Sequence, residues 1–300
     1  MFDPASHVSR VSDLQGPRSE GEGKAQLVLS LFPGIGLLDR AFEDEGFCVV
    51  RGPDLLWGGD IRKFHPPAGR FDGVIGGPPC QAFSRLVHVV RANGHKVADN
   101  LIPEFERVIL EAFPRWFLME NVEAAPTPEV YCYHVSSLLL NNRWVGGVQN
   151  RLRRFSWGVN VAEFGTAKTL DVELEALQPV EWAHAVTRDP RVQPVALVKG
   201  GGRKRPPGGG TMPHVGPRMS IARMLELQGL PADFFGDSPL NDTGKRHVLG
   251  NGVPLPMGRA IAGAVRKAIG GAEVATDAIS SLAHQESSVL TDQQEGAERE

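Results

Sequence analysis

The sequence predicts an α/β protein built on a doubly wound, mostly parallel sheet. Between residues 25 and 158, short apolar runs of strand length alternate with segments whose apolar residues recur at helical spacing. A turn with two glycines, Gly34-Ile35-Gly36, directly follows the first apolar run, as in the strand-to-helix turns of doubly wound sheets. The alternation stops after Gly158, which indicates a smaller, irregular lobe beside the sheet.

Three strands and one helix are predicted at the start of this alternation. Ala25–Phe32, Phe47–Gly52 and Phe71–Ile75 are short apolar runs typical of buried parallel strands. Leu37–Glu45 has helical spacing, and the glycine that follows it commonly ends a helix.

The alternation continues through the middle of the chain. Leu101–Phe113 predicts a helix that a proline ends, and Arg115–Met119 predicts a strand. The spacing favours a helix over Val135–Leu140 and a further strand over Arg143–Val148.

The C-terminal half is less regular. Residues 159–217 include a glycine-rich basic run, 200–210, that is too flexible for a regular element. Helices are predicted again over Ser220–Gln228, with Ser220 as N-cap, and over Pro256–Ala268. We therefore divide the chain into a flexible arm (1–24), a main domain (25–158 and 245–270), a small irregular domain (159–244) and a flexible acidic tail (271–300).

Composition excludes several classes of protein. The chain is 41% hydrophobic and 22% charged, which is typical of globular proteins, and no apolar run is long enough to span a membrane. The N-terminus lacks the apolar core of a signal peptide, so we expect a cytoplasmic protein. Three cysteines, Cys48, Cys80 and Cys132, lie far apart and argue against a disulfide framework. Cys132 and His134 lack a second pair at zinc spacing, so we expect no metal site.

Charge is distributed unevenly along the chain. The net charge is −3, but residues 271–300 carry −6 and residues 1–24 carry −1. The remaining residues, 25–270, therefore carry +4. A mildly basic folded part is compatible with nucleic-acid binding.

Two sequence segments combine turn geometry with acidic groups. The two glycines after the first strand let the backbone approach a ligand closely. Asp54 lies just past the second strand, where an acid can accept hydrogen bonds from a ribose diol, and Asp60-Ile61 can hold an adenine amino group and cover the ring. Ordinary loop acids are the alternative interpretation of Asp54 and Asp60, because turn-forming residues surround them.

A cysteine and an acid follow two later strands. Cys80 lies in Gly76-Gly77-Pro78-Pro79-Cys80, on a rigid turn at the carboxyl end of a strand, where open α/β sheets place their chemistry. A cysteine at such a position can act as a nucleophile when it is a thiolate. Glu120 ends an apolar strand, so burial would raise its pKa and let it act as a proton donor. A buried structural cysteine and a satisfied strand-end acid are the alternatives.

Three further strings complete the pattern. In Gln149-Asn150-Arg151-Leu152-Arg153-Arg154, strand alternation would direct Gln149, Arg151 and Arg153 to one face, while a solvated edge strand is the alternative. Glu226–Pro231 and Gly250-Asn251-Gly252-Val253-Pro254 state no chemistry alone, and structural loops are the default interpretation of both.

Six of these strings resemble, in order and approximate spacing, the signature blocks of the DNA cytosine-5 methyltransferases, over about residues 27–158 and 218–266. The six are the glycine turn, the Cys80 string, the strand that Glu120 ends, the arginine-rich string, Glu226–Pro231 and Gly250–Pro254. The resemblance implies a Rossmann-like methyltransferase domain and catalytic roles for Cys80, Glu120, Arg151 and Arg153. It implies S-adenosylmethionine as methyl donor, with a pocket formed by Phe32, Gly34, Ile35, Gly36, Leu37, Asp54, Asp60, Ile61, Gly77, Pro79, Leu101, Asn251 and Val253.

The resemblance further implies duplex DNA as substrate, with the target cytosine flipped out of the helix. Residues 79–97 match the mobile loop that closes over DNA, and the region after Gly158 matches the target-recognition domain. Candidate DNA contacts are therefore Gln81, Ser84, Arg85, Arg91, Arg203, Lys204 and Arg205. We expect a monomer with no membrane partner, in the bacterial nucleoid or encoded by a phage in a bacterial host, and the resemblance allows a cognate restriction endonuclease.

The chain departs from the family pattern at several positions. Leu37 stands where the family often has a third glycine, and Gly252 stands where serine or alanine is common. The segment from Asp54 to Asp60 is shorter than usual, and the arginine that normally braces the recognition region is displaced to Arg218 or Arg223.

Three other functions remain as alternatives. One is an RNA-directed relative acting on tRNA, although the Cys-Phe-Thr string usual in those proteins is absent. The second is a non-catalytic DNA-binding paralogue, and the third is a dinucleotide-dependent oxidoreductase. The last leaves Pro79-Cys80 and the arginine-rich strand without a role.

Overall fold

The computed structural model describes residues 25–79, 99–165, 168–175 and 219–270. Six strands form one sheet in the order β2-β1-β3-β4-β6-β5. The strands are β1 (Leu27–Leu31), β2 (Cys48–Arg51), β3 (Gly73–Gly76), β4 (Trp116–Asn121), β5 (Tyr133–Asn141) and β6 (Leu152–Asn160). The helices are α1 (Leu37–Asp44), α2 (Ile102–Ala112), α3 (Val161–Phe164), α4 (Ile221–Gln228), α5 (Asp242–Asn251) and α6 (residues 255–270).

Strand pairing confirms the predicted doubly wound, mostly parallel sheet. β2, β1, β3 and β4 run parallel, while β6 pairs antiparallel with both β4 and β5. The chain winds outward from β1 to β2 and then crosses back to β3 on the other side of β1. The carboxyl ends of the four parallel strands therefore lie at one edge of the sheet.

Helices cover both faces of this sheet. On one face, Phe42 of α1 and Ile261 of α6 join Trp116 and Trp157 in a buried cluster. On the other face, Phe105 and its neighbours on α2 pack against the opposite side of β1, β3 and β4. Burial on both faces explains why the parallel strands are continuous apolar runs.

A third apolar cluster joins α4 and α5 to the sheet domain. Met224 and Leu227 of α4 are buried with Leu249 of α5 and with Leu37 of α1. The predicted division of the chain at residues 158 and 244 stays a prediction, since most of residues 159–218 lie outside the description. No described helix is long and apolar enough to cross a bilayer.

Two predictions for the middle of the chain were wrong. Val135–Leu140 is the centre of strand β5, because tertiary pairing with β6 overrides the helical preference of its leucines. Arg143–Val148 is no strand: residues Asn142–Val145 form a 3₁₀ turn that the Asn141 side chain caps and that ends at Gly146, with φ of 78°.

The prediction for the end of the sheet and the helix after it also needs correction. β6 continues past Gly158 to Asn160 before the regular alternation ends. Helix α5 was missed because its sequence is polar and includes two glycines, Gly244 and Gly250. The helices predicted at Ser220–Gln228 and Pro256–Ala268 are confirmed, with Ser220 as the N-cap of α4.

Glycines inside the sheet make room for its aromatic side chains. A Cβ at Gly73 would lie 2.2 Å from Trp116 Cζ2, and a Cβ at Gly158 would lie 2.1 Å from Phe117 Cε1. Both aromatic residues are fully buried. The two glycines are therefore required by packing.

We predict that Gly73→Ala lowers the free energy of unfolding by about 1–3 kcal/mol, because the added methyl group overpacks the Trp116 site. Gly263→Ala, inside helix α6, is the matched control, because a Cβ there would meet only the Glu45 side chain, at 3.7 Å. There, helix propensity predicts stabilisation by about 0.5–1 kcal/mol. Urea unfolding of both variants measures the difference, and equal effects would contradict the packing argument.

Candidate functional site

The predicted site residues gather at the carboxyl edge of the parallel strands. The chain reverses its winding direction between β1 and β3, and the turns that follow these two strands flank this switch point. The turn after β1 contains Gly34 and Gly36, and the turn after β3 contains Gly77 and Pro79. A ligand at this edge therefore meets both turns.

The turn after β1 has a strained, compact backbone. Phe32, Gly34 and Gly36 all have left-handed φ values, 56°, 57° and 76°. The Gly36 N–H donates to the Pro33 carbonyl at 2.8 Å, and Gly36 is the N-cap of α1. Glycine adopts this conformation without a steric penalty, whereas Phe32 does not, and such strain occurs mainly where surrounding contacts determine the backbone.

Asp54 closes this turn from the end of β2. Its carboxylate accepts hydrogen bonds from the Gly34 N–H at 2.8 Å and from the Leu56 N–H at 2.7 Å. The indole N–H of Trp57 donates to the Gly34 carbonyl at 2.7 Å, although the side chain is 63% exposed. These hydrogen bonds join Asp54 to the glycine turn, a contact that the sequence analysis did not predict, and Trp57 was not among the predicted site residues.

The Asp60-Ile61 segment is held by an arginine of α2. Asp60 caps a 3₁₀ turn, Ile61–Lys63, and Ile61 is buried. Arg107 donates from Nη2 to the carbonyls of Ile61 at 2.8 Å and Phe64 at 3.1 Å. Glu104 and Glu111 bind the remaining guanidinium nitrogens, so Arg107 is fixed on both sides.

Glu120 is a buried acid in contact with the turn after β3. A Cβ at Gly77 would lie 3.1 Å from Glu120 Oε2, and Oε1 forms an ion pair with Arg153 Nε at 2.9 Å. The neighbouring Asn121 side chain donates to the Pro78 carbonyl at 3.3 Å. These contacts join the end of β4 to the turn that precedes Cys80.

Burial raises the pKa of the Glu120 carboxyl group above its ordinary range, and the charges of Arg153 and Arg151 partly oppose that rise. Removing a carboxylate from water disfavours its charged form. A neighbouring guanidinium favours the charged form. The Glu120 carboxyl group, next to the turn after β3, therefore keeps its proton to a higher pH than an ordinary glutamate does.

Buried glutamine side chains connect the segment before β6 with the C-terminal ends of α4 and α5. Gln149 donates to Gln228 and to the Leu227 carbonyl, both at 2.7 Å. Gln228 donates in turn to the carbonyls of Leu249 and, at 3.2 Å, Gly252. The bonds to Leu227 and Leu249 satisfy carbonyl groups that lack a partner within α4 and α5 at their C-terminal ends.

Arg151 makes a related contact. It is 3% exposed, and Nη2 donates to the Gly250 carbonyl at 2.9 Å. A cation at this helix end also interacts favourably with the helix dipole. The Gly250–Val253 string therefore contacts the arginine-rich strand, and the interpretation of that strand as a solvated edge was wrong.

Two departures from the family pattern meet in space. A Cβ at Gly252 would lie 2.5 Å from Leu37 Cδ1, and Leu37 is itself buried. The larger residue at position 37 thus occupies the volume that a side chain at position 252 would need.

Of the two arginines predicted to brace the recognition region, only Arg223 lies in the described part of the chain. Arg223 forms an exposed ion pair with Glu226, one turn away on α4, so it points away from the core. Arg246 of α5 instead donates to the Met219 carbonyl. Arg218 lies outside the described residues.

The structure places several described residues of the predicted site in contact with one another or with neighbouring residues. The paired groups are Gly34 with Asp54, Gly77 with Glu120, Glu120 with Arg153, and Leu37 with Gly252. Leu101 is buried at the N-terminus of α2. Several predicted residues lie outside the described part of the chain: Cys80, Gln81, Ser84, Arg85, Arg91, Arg203, Lys204 and Arg205.

Comparison with known proteins finds a family model and relatives that match part of the chain. Residues 57–186 match the model of the C-5 cytosine-specific DNA methylase family. The type II methyltransferase M.NgoPII of Neisseria gonorrhoeae is 32% identical over 43% of this chain and 38% of its own length. M.AquIA of Picosynechococcus is 48% identical over 32% of this chain and 48% of its own length.

A solved structure supports the fold. The methyltransferase EhMeth of Entamoeba histolytica superposes with a TM-score of 0.51 at 12% identity, covering 80% of this chain and 98% of its own. The sequence matches span less than half of each of the two curated relatives.

We predict that Gly252→Ala destabilises the protein and that Leu37→Ala relieves part of this effect. The new methyl group would overlap Leu37, whereas the double variant removes the overlap. A double-mutant cycle by urea unfolding should give a coupling free energy of about 1 kcal/mol or more. Strictly additive effects would show that the two residues do not compete for space.

Proposed function

We propose that this chain, whose residues 57–186 match the model of the C-5 cytosine-specific DNA methylase family, transfers a methyl group from S-adenosylmethionine to C5 of cytosine in duplex DNA. The observation that carries the proposal is the buried Glu120 carboxyl, paired with Arg153 and in contact with the Gly77 turn. Cys80 follows that turn directly in the chain, after Pro78 and Pro79.

The described residues fit the methyl donor that this family implies. The position of a Cβ at Gly34 has no described atom within 4 Å, so the glycine turn is open on that side. Asp54 uses each carboxylate oxygen once, for the Gly34 and Leu56 amides. A carboxylate has about four acceptor sites, so Asp54 can still bind a ribose diol.

The proposed donor site combines these groups with Asp60-Ile61 and the Asn251–Val253 turn. When bound, S-adenosylmethionine supplies the electrophilic methyl group. The protein's part is to present backbone amides and Asp54 to the donor. The resemblance assigns Ile61, beside Asp60, to the purine ring, and Ile61 is packed in the apolar cluster on the α2 face of the sheet.

Chemistry at the base is assigned to Cys80 and Glu120. The Cys80 thiolate would form a bond to C6 of the cytosine, and the electron pair displaced from the C5–C6 double bond would make C5 nucleophilic. A protonated Glu120 would donate to N3 and favour that attack. After C5 gains the methyl group, loss of the C5 proton restores the double bond and releases Cys80 as thiolate.

Arginines complete the proposed base pocket. Arg153 holds Glu120 Oε1 at 2.9 Å, and Oε2 is the oxygen nearer the Gly77 turn. Arg151 contributes a buried positive charge that favours the charged form of Glu120 and fixes the Gly250 carbonyl. Contact of the Arg153 guanidinium with the cytosine O2 is part of this proposal.

Partners and cellular setting follow from the same proposal. The two named relatives are bacterial type II methyltransferases, which supports DNA as substrate, a bacterial cytoplasm and a restriction endonuclease as a functional partner. The residues proposed to contact DNA are those of the 81–91 segment and the Arg203-Lys204-Arg205 run, because basic side chains bind phosphates.

The first test is methyl transfer from labelled S-adenosylmethionine to duplex DNA, with tRNA as a parallel substrate. The wild-type chain should label DNA, and Cys80→Ser should abolish labelling because a hydroxyl is too weak a nucleophile. Cys48→Ser, at an exposed cysteine of β2, is the matched control and should keep full activity. Labelling of tRNA alone would favour the RNA-directed alternative, and full activity of Cys80→Ser would exclude the covalent mechanism.

The second test concerns the protonation of Glu120. Since the proton-donating form is required, kcat/KM should fall as pH rises through the raised pKa of Glu120. Glu120→Gln should lower the rate by about 10²–10⁴-fold and remove that part of the pH profile. Glu129→Gln, at an exposed acid, serves as control. An unchanged pH profile in Glu120→Gln would rule out Glu120 as the proton donor.

A further inference from the structure

A buried acid behind the glycine turn has no role in the chemistry described above. Asp39, in the first turn of α1, is fully buried, although carboxylates are almost never buried without partners. Burial raises the pKa of its carboxyl group, against the effects of Ser30 and Arg51. Burial of this carboxylate therefore opposes its charged form, and its contacts show what it holds in place.

Asp39 connects the three elements that meet at the turn. Its Oδ1 accepts a hydrogen bond from the Ser30 hydroxyl of β1 at 2.5 Å. Its Oδ2 accepts from Arg51 Nε, on the last residue of β2, at 2.9 Å. Ser30 is also buried, so the Asp39–Ser30 contact lies inside the protein.

Arg51 carries this connection to the turn itself. A Cβ at Gly36 would lie 2.4 Å from Arg51 Nη2 and 2.8 Å from Cζ, so the guanidinium group packs directly against the Gly36 backbone. The Arg51 side chain is 55% exposed, whereas that of Asp39 is 0% exposed. The guanidinium thus bridges a buried anion and the turn that begins α1.

We propose that Ser30, Asp39 and Arg51 form a brace that positions the Gly34–Gly36 turn for binding the methyl donor. The inference rests on the proposed function. Gly34 and Gly36 of this turn and the preceding Phe32 all have left-handed φ values, and a strained residue such as Phe32 persists only where its surroundings determine the backbone. Asp39 orients the guanidinium and Arg51 fills the space beside Gly36, so loss of either loosens the turn.

A second ion pair on the same helix provides a matched control. Asp44, the last residue of α1, accepts from Arg259 Nε at 2.8 Å and lies 2.7 Å from its Nη2. This pair joins α1 to α6 and contacts neither glycine of the turn. Asp39→Asn and Asp44→Asn therefore remove the same charge from the same helix. Asp39 lies at the end of α1 next to the glycine turn, and Asp44 lies at the opposite end.

The test measures binding of S-adenosylhomocysteine by titration calorimetry, well below the melting temperature of each variant. We expect Asp39→Asn to raise Kd by about tenfold or more, on the scale of one lost charge-assisted hydrogen bond. Asp44→Asn should leave Kd within about twofold of the wild-type value. Arg51→Met should raise Kd as Asp39→Asn does, and it carries the test if Asp39→Asn does not fold.

Kinetics separate positioning from general stability. Loss of the brace, in Asp39→Asn or Arg51→Met, should raise KM for S-adenosylmethionine while kcat at saturating donor stays near the wild-type value, because the base-binding groups are untouched. Folded Asp39→Asn and Arg51→Met variants that bind with wild-type Kd would overturn the brace. A wild-type chain that binds no S-adenosylhomocysteine would instead overturn the proposed function.

Discussion

The burial of Glu120 between the Gly77 turn and Arg153 is the constraint on which the rest of the site depends. A carboxyl group removed from water needs compensating partners, and Arg153 supplies the nearest one at 2.9 Å. Strand β4 makes this arrangement possible because it pairs in parallel with β3 and antiparallel with β6. The acid thus lies beside the turn after β3, while its arginine partner comes from the start of β6.

The surrounding structure supports this pair in two directions. Towards the C-terminal helices, Gln149 binds the Leu227 carbonyl at the end of α4, while Arg151 and Gln228 bind the Gly250 and Gly252 carbonyls of the Gly250–Val253 turn. Towards β1, the same turn packs against Leu37 through Gly252. A chain of contacts therefore connects the two glycine-containing turns with the buried acid.

Much of the fold could be predicted from local pattern. The parallel strands are buried on both faces, so their apolar runs and the glycine turn after β1 identified them without tertiary information. Strand β5 and the 3₁₀ turn after it could not be predicted this way. The leucines of β5 suit a helix equally well, and only nine pairings with β6 make the segment a strand.

The chemical identity of the site was determined by the sequence alone: the strand-end positions of Asp54 and Glu120, the string before Cys80, and the alternation of Gln149, Arg151 and Arg153. Residue type and position along an element are local properties. Tertiary structure alone decided that Glu120 pairs with Arg153, that Gly252 accommodates Leu37 and that Asp39 lies buried against Ser30 and Arg51. An acid in the first turn of a helix is usually a solvated contribution to the helix dipole. Asp39 is buried instead because β1 and β2 pack against α1, a tertiary contact that no local sequence pattern predicts.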